Sequence, residues 1–381
     1  MNDENMYRYW LFRVRGISSK KKIELVEIFK SANELYSVSE NKLVQMGKLN
    51  AKQLKMIKNS KEDINLDDYS GLIKKDIKLV TYDMDDYPKR LREIHNPPYG
   101  LLYMGDLPHN DRKSVAIIGA RMCSKYGEYL AQEFGSYLAK RGIQIISGLA
   151  KGIDGISQAA AINEGGSSFA ILGCGVNICY PSENIHVYNE LKVRGGIISE
   201  YDIDAPPLSQ NFPARNRLIS GMADAILVIE AKEKSGTLIT VDFALEQGRD
   251  VYAIPGRIVD SLSYGCNYLI KQGAQIILSP KDLYRELCPY MEVKNNNDVI
   301  DNEDIQLEGL KKDILEVVDA MPMTVDEIWN VLLKSDDKYE GLILSDLMTN
   351  LMELTLDGYI AQRGGNFLLQ NFTCMNRNYS V

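Results

Sequence analysis

The sequence predicts an α/β fold: an extended Rossmann-like, doubly wound parallel sheet, flanked by a small N-terminal helical domain and a C-terminal winged-helix domain. Two observations predict the sheet. Short apolar runs recur between Ser114 and Ala274, and each is followed by a corner of glycines or hydroxyl residues and then by a helical pattern. Parallel crossover connections bring such corners to the carboxyl edge of one sheet, where backbone N–H groups can bind phosphates.

This pattern of strand, corner and helix occurs five times. The first run begins at Ser114 and leads into Gly119, Ala120 and Arg121, so that an arginine occupies the position of the second glycine of a dinucleotide fingerprint. Because a guanidinium binds phosphate through two parallel hydrogen bonds, this corner suits one exposed phosphodiester better than a buried pyrophosphate. The later corners are at 147–152, 173–175, 199–200 and 235–237.

The segment 211–217, Asn-Phe-Pro-Ala-Arg-Asn-Arg, precedes a further apolar stretch. Since proline disfavours an earlier helix, the sequence predicts a loop here that enters a helix near Leu218. An extended backbone would place Arg215 and Arg217 on one side of the loop, where both can meet phosphates. Surface carboxylates are the alternative partners of these two arginines.

The corners belong to a larger set of short segments that spans the whole central block. That set is 86–91, 96–98, 102–105, 119–121, 147–154, 173–175, 180–181, 212–217, 230, 235–240 and 254–256. It resembles the DNA-processing protein A family, also called DprA or Smf. Two departures are Gln158, where the family usually has a histidine, and Ala120, where a serine is common; neither removes a cation.

Members of that family bind single-stranded DNA during natural transformation and help to load the recombinase RecA on it. The resemblance therefore implies a single-stranded DNA-binding protein that protects incoming DNA, forms a homodimer through its central domain and has RecA as its partner. It implies no catalytic residue and no cofactor.

The candidate DNA-binding residues combine cations with backbone and hydroxyl groups of the corners. Arg121, Lys151, Arg215 and Arg217 would contact phosphates, with Lys232 and Lys234 as additions near the edge. A single glycine of the set could serve only a tight turn, but their joint placement after apolar runs favours a groove. The other candidates are Gly119, Ser124, Ser147, Gly148, Gly152, Gly173, Gly175, Asn216, Ser235, Gly236 and Thr237.

Two residues beside these corners have alternative roles. Asp154 can offset the dipole of the helix that it begins, or it can hold Arg121 or Lys151 in position. Tyr180 can pack against its own corner, or it can act as a platform on which a base stacks. For both residues we favour the structural role, as a helix charge for Asp154 and as a packing residue for Tyr180.

Composition sets the outer limits. The chain has 381 residues, 45% hydrophobic and 25% charged, and a net charge of −8. Residues 1–111 contribute +2, residues 112–290 contribute 0 and residues 291–381 contribute −10, so attraction to DNA has to come from locally clustered cations. Since no apolar run approaches ~20 residues and 1–5 do not resemble a signal peptide, we expect a cytoplasmic protein without a membrane span. The six cysteines show no metal-site spacing, which predicts reduced thiols and no metal.

Four regions follow from these patterns. Residues 1–70 predict a helical domain similar to sterile-alpha-motif or helix-hairpin-helix domains, and its hairpin at 15–18 lacks the usual second glycine, which favours a structural or protein-contact role. Residues 71–290 form the Rossmann-like core with a lead-in at 71–112, and 291–306 are a polar linker. Residues 307–381 predict a winged helix from helical patterns at 310–318, 325–333 and 342–356 and a hairpin around Gly364 and Gly365.

Three competing functions remain. Lysine-decarboxylase-like phosphoribohydrolases use a similar sheet and a Gly-Gly-x-Gly-Thr-x-x-Glu corner, but Thr240 occupies the position of the glutamate here. Asp242 and Glu246 lie further along the same helix, so a hydrolase stays an alternative. A nucleotide-binding module fits the glycine corners but leaves the arginines unexplained, and an NAD enzyme is disfavoured because two fingerprint glycines are missing.

Overall fold

The structure is a computed structural model that describes residues 3–63, 68–289, 309–318, 322–335, 339, 341–357, 359–363 and 365–369. The chain divides into two compact units, residues 1–288 and 289–381. The linker predicted at 291–306 lies outside the described residues.

One large sheet organises the first unit. Its strands are β1 (Lys78–Thr81), β2 (Gly100–Gly105), β3 (Ser114–Ile118), β4 (Gln144–Ser147), β5 (Ser168–Leu172), β6 (Gly195–Ser199), β7 (Ala225–Val228), β8 (Asp250–Ala253) and β9 (Gln275–Ile276). Within the described residues the strand order is β1-β2-β6-β5-β4-β3-β7-β8-β9. All neighbours from β6 to β9 pair in parallel, which confirms the predicted sheet.

The strand order reverses at β3, because β4 lies on one side of it and β7 on the other. In an open α/β sheet, the crevice at such a switch point is the usual place for a ligand. The corner that follows β3 carries Arg121. The topology therefore places this cation at the crevice.

Fourteen helices accompany the sheet in the described part of the first unit. Ala116 and Ile118 of β3 pack in one buried cluster, whereas Val115 and Ile117 pack in another, as alternation along a strand requires. The helices are α1 (Asp3–Arg13), α2 (Ser19–Phe29), α3 (Ala32–Ser37), α4 (Glu40–Gln45), α5 (Ala51–Asp63), α6 (Asp68–Lys74), α7 (Lys89–Arg92), α8 (Lys125–Lys140), α9 (Ile153–Asn163), α10 (Ile185–Arg194), α11 (Asn211–Met222), α12 (Gly236–Glu246), α13 (Tyr264–Lys271) and α14 (Pro280–Leu287).

The N-terminal helices have a core of their own and are also joined to the sheet. Trp10 and Leu25 are buried among the helices, but Tyr9 belongs to the cluster that covers β5 and β6. The Tyr9 hydroxyl donates to Asp202 at 2.9 Å, and the Arg13 guanidinium lies 3.0 Å from the same carboxylate. The lead-in supplies β1 and β2, which extend the sheet in antiparallel fashion beyond β6.

The second unit has the element order expected for a winged helix. Its elements are α15 (Leu310–Val317), β10 (Met323–Thr324), α16 (Val325–Ser335), α17 (Leu344–Leu356), β11 (Ile360–Arg363) and β12 (Asn366–Leu369). A capping box begins α16, because Thr324 N–H donates to Glu327 at 2.7 Å and Glu327 N–H donates to the Thr324 hydroxyl at 3.2 Å. Ile328, Leu347 and Phe367 are buried in its core.

Candidate nucleic-acid interface

The parallel strands end in adjacent corners at one edge of the sheet. We call this surface the corner groove and define it as residues 119–124, 147–152, 173–181, 211–217 and 230–237. Hydrogen bonds join its segments: the Thr237 hydroxyl donates to Gly119 O at 3.1 Å, and the Asn211 amide donates to Gly173 O at 3.1 Å. The structure therefore brings together corners that are far apart along the chain, as the sequence predicted.

The first two corners fit together because two glycines leave room for close packing. A Cβ atom at Gly152, whose φ is +74°, would lie 2.3 Å from Ala120 O, and one at Gly119 would lie 2.6 Å from Ile153. Ile153 N–H donates to Ala120 O at 3.3 Å across the same junction. Both candidate glycines thus position the backbone next to Arg121.

Arg121 itself projects from this junction. Its side chain is exposed, and no carboxylate of the described residues forms an ion pair with it. The guanidinium carbon lies 5.9 Å from the centre of the Phe212 ring. A planar cation in this position can bind a phosphate with two hydrogen bonds.

The hydroxyl candidates hold the corners in place. Ser124 donates to the buried Glu230 carboxylate through its N–H at 2.9 Å and through its hydroxyl, which also accepts from Gly127 N–H and caps α8. Ser235 caps α12 by accepting from Thr237 N–H at 3.2 Å. The buried Ser147 hydroxyl donates to Ile117 O at 2.7 Å, so its side chain is not available to DNA and its role as a direct contact is corrected to a structural one.

Arg215 departs most from the expectation. The predicted loop over 211–217 is wrong, because α11 already begins at Asn211. Pro213 fits the first helical turn, where its missing N–H removes no intrahelical hydrogen bond. Arg215 is therefore in the helix, is 5% exposed, and donates to Gly148 O at 3.0 Å and to Ile171 O. We correct its role from phosphate contact to internal support of the corner groove.

Asp154 lies beneath the same corner and accepts from Gly148 N–H at 3.1 Å. Burial raises the pKa of its carboxyl, and the positive charge of Arg215 opposes that rise. Burial lowers the pKa of Arg215 to about 10, and the Asp154 charge opposes this effect. Arg215 is still a cation at neutral pH, so Asp154 compensates Arg215 rather than holding Arg121 or Lys151.

Gln158 supports the neighbouring backbone from the position of the family's usual histidine. Its side chain accepts from Leu149 N–H at 3.0 Å and donates to the Ser168 hydroxyl at 3.2 Å. Leu149 has a φ of +53°, which a non-glycine residue adopts only when its surroundings hold it there. Gln158 thus fixes the corner that Gly148 begins.

Two further candidate cations are paired. Arg217 is 13% exposed and donates to both Glu200 oxygens, at 2.8 and 2.6 Å, so it does not share a free face with Arg215 as expected. Lys151 pairs with Glu183, and both side chains are more than half exposed. An exposed ion pair contributes little to stability, so Lys151 can leave Glu183 and bind a phosphate. For Arg217, binding a phosphate would first break its two hydrogen bonds to Glu200.

Aromatic side chains complete the corner groove. Tyr180 is 43% exposed, and its ring centre lies 5.4 Å from that of Phe212. The sequence did not indicate Phe212 as a site residue, although Phe212 lies in the same segment as Arg215. Exposed Lys232 and Lys234 lie beyond Glu230, and the Asn216 amide donates to Gly236 O at 3.4 Å. Gly173 and Gly175 are buried at the corner after β5.

The carboxylates do not form an acid–base pair at this edge. Thr240, at the position of the hydrolase glutamate, is buried in α12, and Asp242 and Glu246 are exposed on the same helix. Glu230 is buried and accepts two hydrogen bonds from Ser124. In the described part of the chain, no group of three or more potential ligands could hold a metal ion, and no helix is both long and apolar enough to cross a bilayer.

Known proteins with similar sequences identify the family of this chain. Residues 78–288 match the model of a family described as DNA recombination-mediator protein A. Protein Smf of Escherichia coli is 35% identical over 309 residues, 80% of each chain. DNA processing protein DprA of Streptococcus pneumoniae is 42% identical over 202 residues, 53% of this chain and 71% of the relative.

Two solved structures are similar to this chain. The X-ray structure of DprA from Streptococcus pneumoniae superposes with a TM-score of 0.64 and 31% identity, covering 74% of this chain and 98% of that one. DprA from Helicobacter pylori, whose structure describes a single-stranded DNA binding mode, has a TM-score of 0.50 and 30% identity over 56% of this chain and 96% of that one.

Proposed function

Because the chain belongs to the DNA recombination-mediator protein A family, we propose that it binds single-stranded DNA along the corner groove and is not an enzyme. One observation carries the proposal: unpaired, exposed Arg121 lies beside the aromatic pair Tyr180 and Phe212 at the switch point of the sheet. A cation next to aromatic rings, of which Tyr180 is exposed, can bind the two parts of a nucleotide, its phosphate and its base.

The corner groove favours a single strand over a duplex. In a duplex the bases are stacked inside and the backbone is stiff, so Tyr180 and Phe212 gain no base contact from it. A single strand can turn its bases toward Tyr180 and Phe212 while its phosphates follow the cations. Arg121, Lys151, Lys232 and Lys234 supply these cations, whereas the N–H groups of Gly148 and Gly175 are already bonded to Asp154 and to Ala205 O.

The family resemblance extends the proposal to a cytoplasmic homodimer that protects incoming DNA and loads RecA during natural transformation. An exposed apolar edge supports self-association. Ile276 of the short edge strand β9 is 50% exposed, and the exposed rings of Tyr264 and Tyr268 stack 6.5 Å apart on α13. An open edge strand beside apolar side chains is a usual surface for pairing with another chain.

Equilibrium binding tests the proposal with a labelled single strand, the matching duplex and free nucleotides side by side. The single strand should bind much more tightly than the duplex, and four phosphate contacts imply a log–log salt slope of about −3, from ~0.7 per contact. Equal affinity for the duplex contradicts the proposal. A slope near zero with tight nucleotide binding, or nucleotide hydrolysis, favours the alternative of a nucleotide site or phosphoribohydrolase.

A further inference from the structure

The loop that follows β8 is fixed at both of its ends. The Asn267 side chain accepts from Gly256 N–H at 3.1 Å and donates to Gly256 O at 3.0 Å. At the other end, Ala231 N–H donates to Leu262 O at 2.8 Å. A Cβ atom at Gly256 would lie 2.1 Å from the Ser263 hydroxyl, so only glycine permits this packing. These contacts therefore fix the conformation of the loop at both of its ends.

Between these anchors lies the segment 257–261, which we call the loop tip. It turns tightly, because Asp260 N–H donates to Arg257 O at 3.1 Å. All five residues are exposed, including the two apolar ones: Ile258 is 93% exposed and Val259 is 82% exposed. Arg257 forms no ion pair with any described residue. Adjacent aliphatic side chains held in water on an anchored turn indicate a contact surface.

The loop tip lies at the same edge of the sheet as the corner groove. Strand β8 pairs with β7, which pairs with β3, so β8 ends about 10 Å from β3 at ~4.8 Å per strand. Its anchor Ala231 directly follows Glu230, the residue that holds Ser124. A single DNA strand that runs from Arg121 past the end of β7 would therefore meet Lys232 and then the loop tip.

We propose that the loop tip extends the corner groove and contacts the bases of nucleotides that flank those held at Arg121. Ile258 and Val259 pack against base faces, as aliphatic wedges do when they insert between bases, and Arg257 binds a phosphate. Asp260 balances the charge of Arg257, so the loop tip has no net charge and its contribution comes chiefly from base contacts. This inference rests on the proposed function and assigns a second, sequence-tolerant base contact to it.

The test compares two ligands of the same length: a twenty-nucleotide oligothymidylate and a twenty-unit abasic strand with the same phosphates. The full chain carrying Ile258→Ser and Val259→Ser should bind the oligothymidylate about tenfold more weakly, a loss of ~1.4 kcal/mol. On the abasic strand the same variant should bind within about twofold of the parent, because only the bases are missing. Val193→Ser, at an exposed apolar position of α10, is the matched control and should change neither affinity.

Arg121→Ala separates this inference from the proposed function, because loss of a phosphate contact should weaken both ligands. If Arg121→Ala weakens both and the loop-tip variant weakens neither, or weakens both equally, the extension is wrong and the groove assignment stands. If Arg121→Ala changes neither, the proposed function fails. A loop-tip variant that alters the oligomeric state without changing oligothymidylate affinity assigns the loop tip to a protein contact and overturns the inference. Ile258→Ala alone repeats the measurement with a milder change.

Discussion

At the scale of single residues, the arginines of the corner groove differ in what surrounds each guanidinium. Arg121 has no charged partner among the described residues and faces an aromatic ring. Arg217 is bound by a carboxylate, and Arg215 is enclosed by carbonyl oxygens. Only the first of these surroundings leaves the charge free for a phosphate, so the three residues should respond differently to substitution.

Arg121→Ala should weaken binding of single-stranded DNA about tenfold and leave the fold intact, because the side chain is exposed in a corner. The log–log salt slope should also become smaller by ~0.7, the amount expected for one phosphate contact. Fluorescence anisotropy over a series of salt concentrations measures both quantities. Lys140→Ala, which removes an exposed cation at the far end of α8, is the control. A fall in thermal stability that accounts for the lost binding points instead to a structural role.

Lys22 predicts a pH dependence of stability. The ammonium is buried in α2 and donates to Phe12 O at 2.6 Å, and burial lowers its pKa to about 7. Because the unfolded value is about 10.4, the unfolded chain binds this proton first as the pH falls, and the parent protein loses stability between pH 10 and 7. As the pH falls from 10 to 7, Lys22→Met should therefore become more stable relative to the parent. The difference in free energy of unfolding should change with a limiting slope of ~1.4 kcal/mol per pH unit.

Urea unfolding at pH 10, 9, 8, 7 and 6 measures that difference. The change with pH is the informative quantity, because the loss of the Lys22 hydrogen bond to Phe12 O adds a constant cost to the variant. Lys21→Met is the matched control, since Lys21 is partly exposed and pairs with Glu24 at the surface. A parent-minus-variant difference that stays flat from pH 10 to 7 rules out the buried charge as its source.

At the scale of elements, the packing of successive corners depends on crowded glycines. Gly152→Ala should lower the free energy of unfolding by at least about 2 kcal/mol, because it adds a Cβ clash with Ala120 O to the unfavourable positive φ. Gly142→Ala is the matched control: its φ is +78°, but nothing lies within 4 Å of the added Cβ. Gly142→Ala should lower the free energy of unfolding by about 1 kcal/mol. Equal losses in urea unfolding would show that backbone strain alone decides the effect.

The corners could be predicted from the sequence because their signals are local. An apolar run followed by Gly119 or Gly148 fixes the end of a strand and the turn after it. The start of α11 was not predicted, because Pro213 is equally compatible with a loop and with a first helical turn. Only the packing of Leu218 and Ile219 in the sheet's core selects the helix.

The roles of Arg215 and Phe212 depend on distant parts of the chain. The carbonyl oxygens that surround Arg215 belong to Gly148, in the corner after β4, and to Ile171 of β5. Phe212 acquires its neighbours Arg121 and Tyr180 only when three corners meet. No pattern of spacing within 211–217 contains these contacts, so the sequence could not assign the roles of Arg215 and Phe212.

At the scale of the whole molecule, the acidic second unit should not contribute to DNA affinity. Helix α17 carries Asp346 and Glu353 and has no lysine or arginine, which disfavours entry into a DNA groove. A chain that ends at Met291 should keep single-strand affinity and dimerisation, since the corner groove lies entirely in the first unit. Anisotropy and analytical ultracentrifugation check this. A folded truncated chain that no longer binds DNA contradicts the assignment of the site.

Ile276→Glu should convert the proposed dimer to a monomer, because a charge at an exposed edge strand opposes pairing with a second copy. Sedimentation measures the mass, and Val44→Glu, at a comparably exposed apolar position of α4, is the control. Single-strand affinity per protomer should change little. An unchanged dimer mass would place the interface elsewhere.

The two edges of the sheet differ, and the difference limits assembly. Leu79, Val80 and Thr81 of β1 are buried, whereas both residues of β9 are exposed. Within the nine-stranded sheet, a copy that pairs through β9 has used the exposed one of its two edge strands. The proposed association through β9 is therefore expected to be self-limiting, ending in a closed two-fold pair rather than in a fibre.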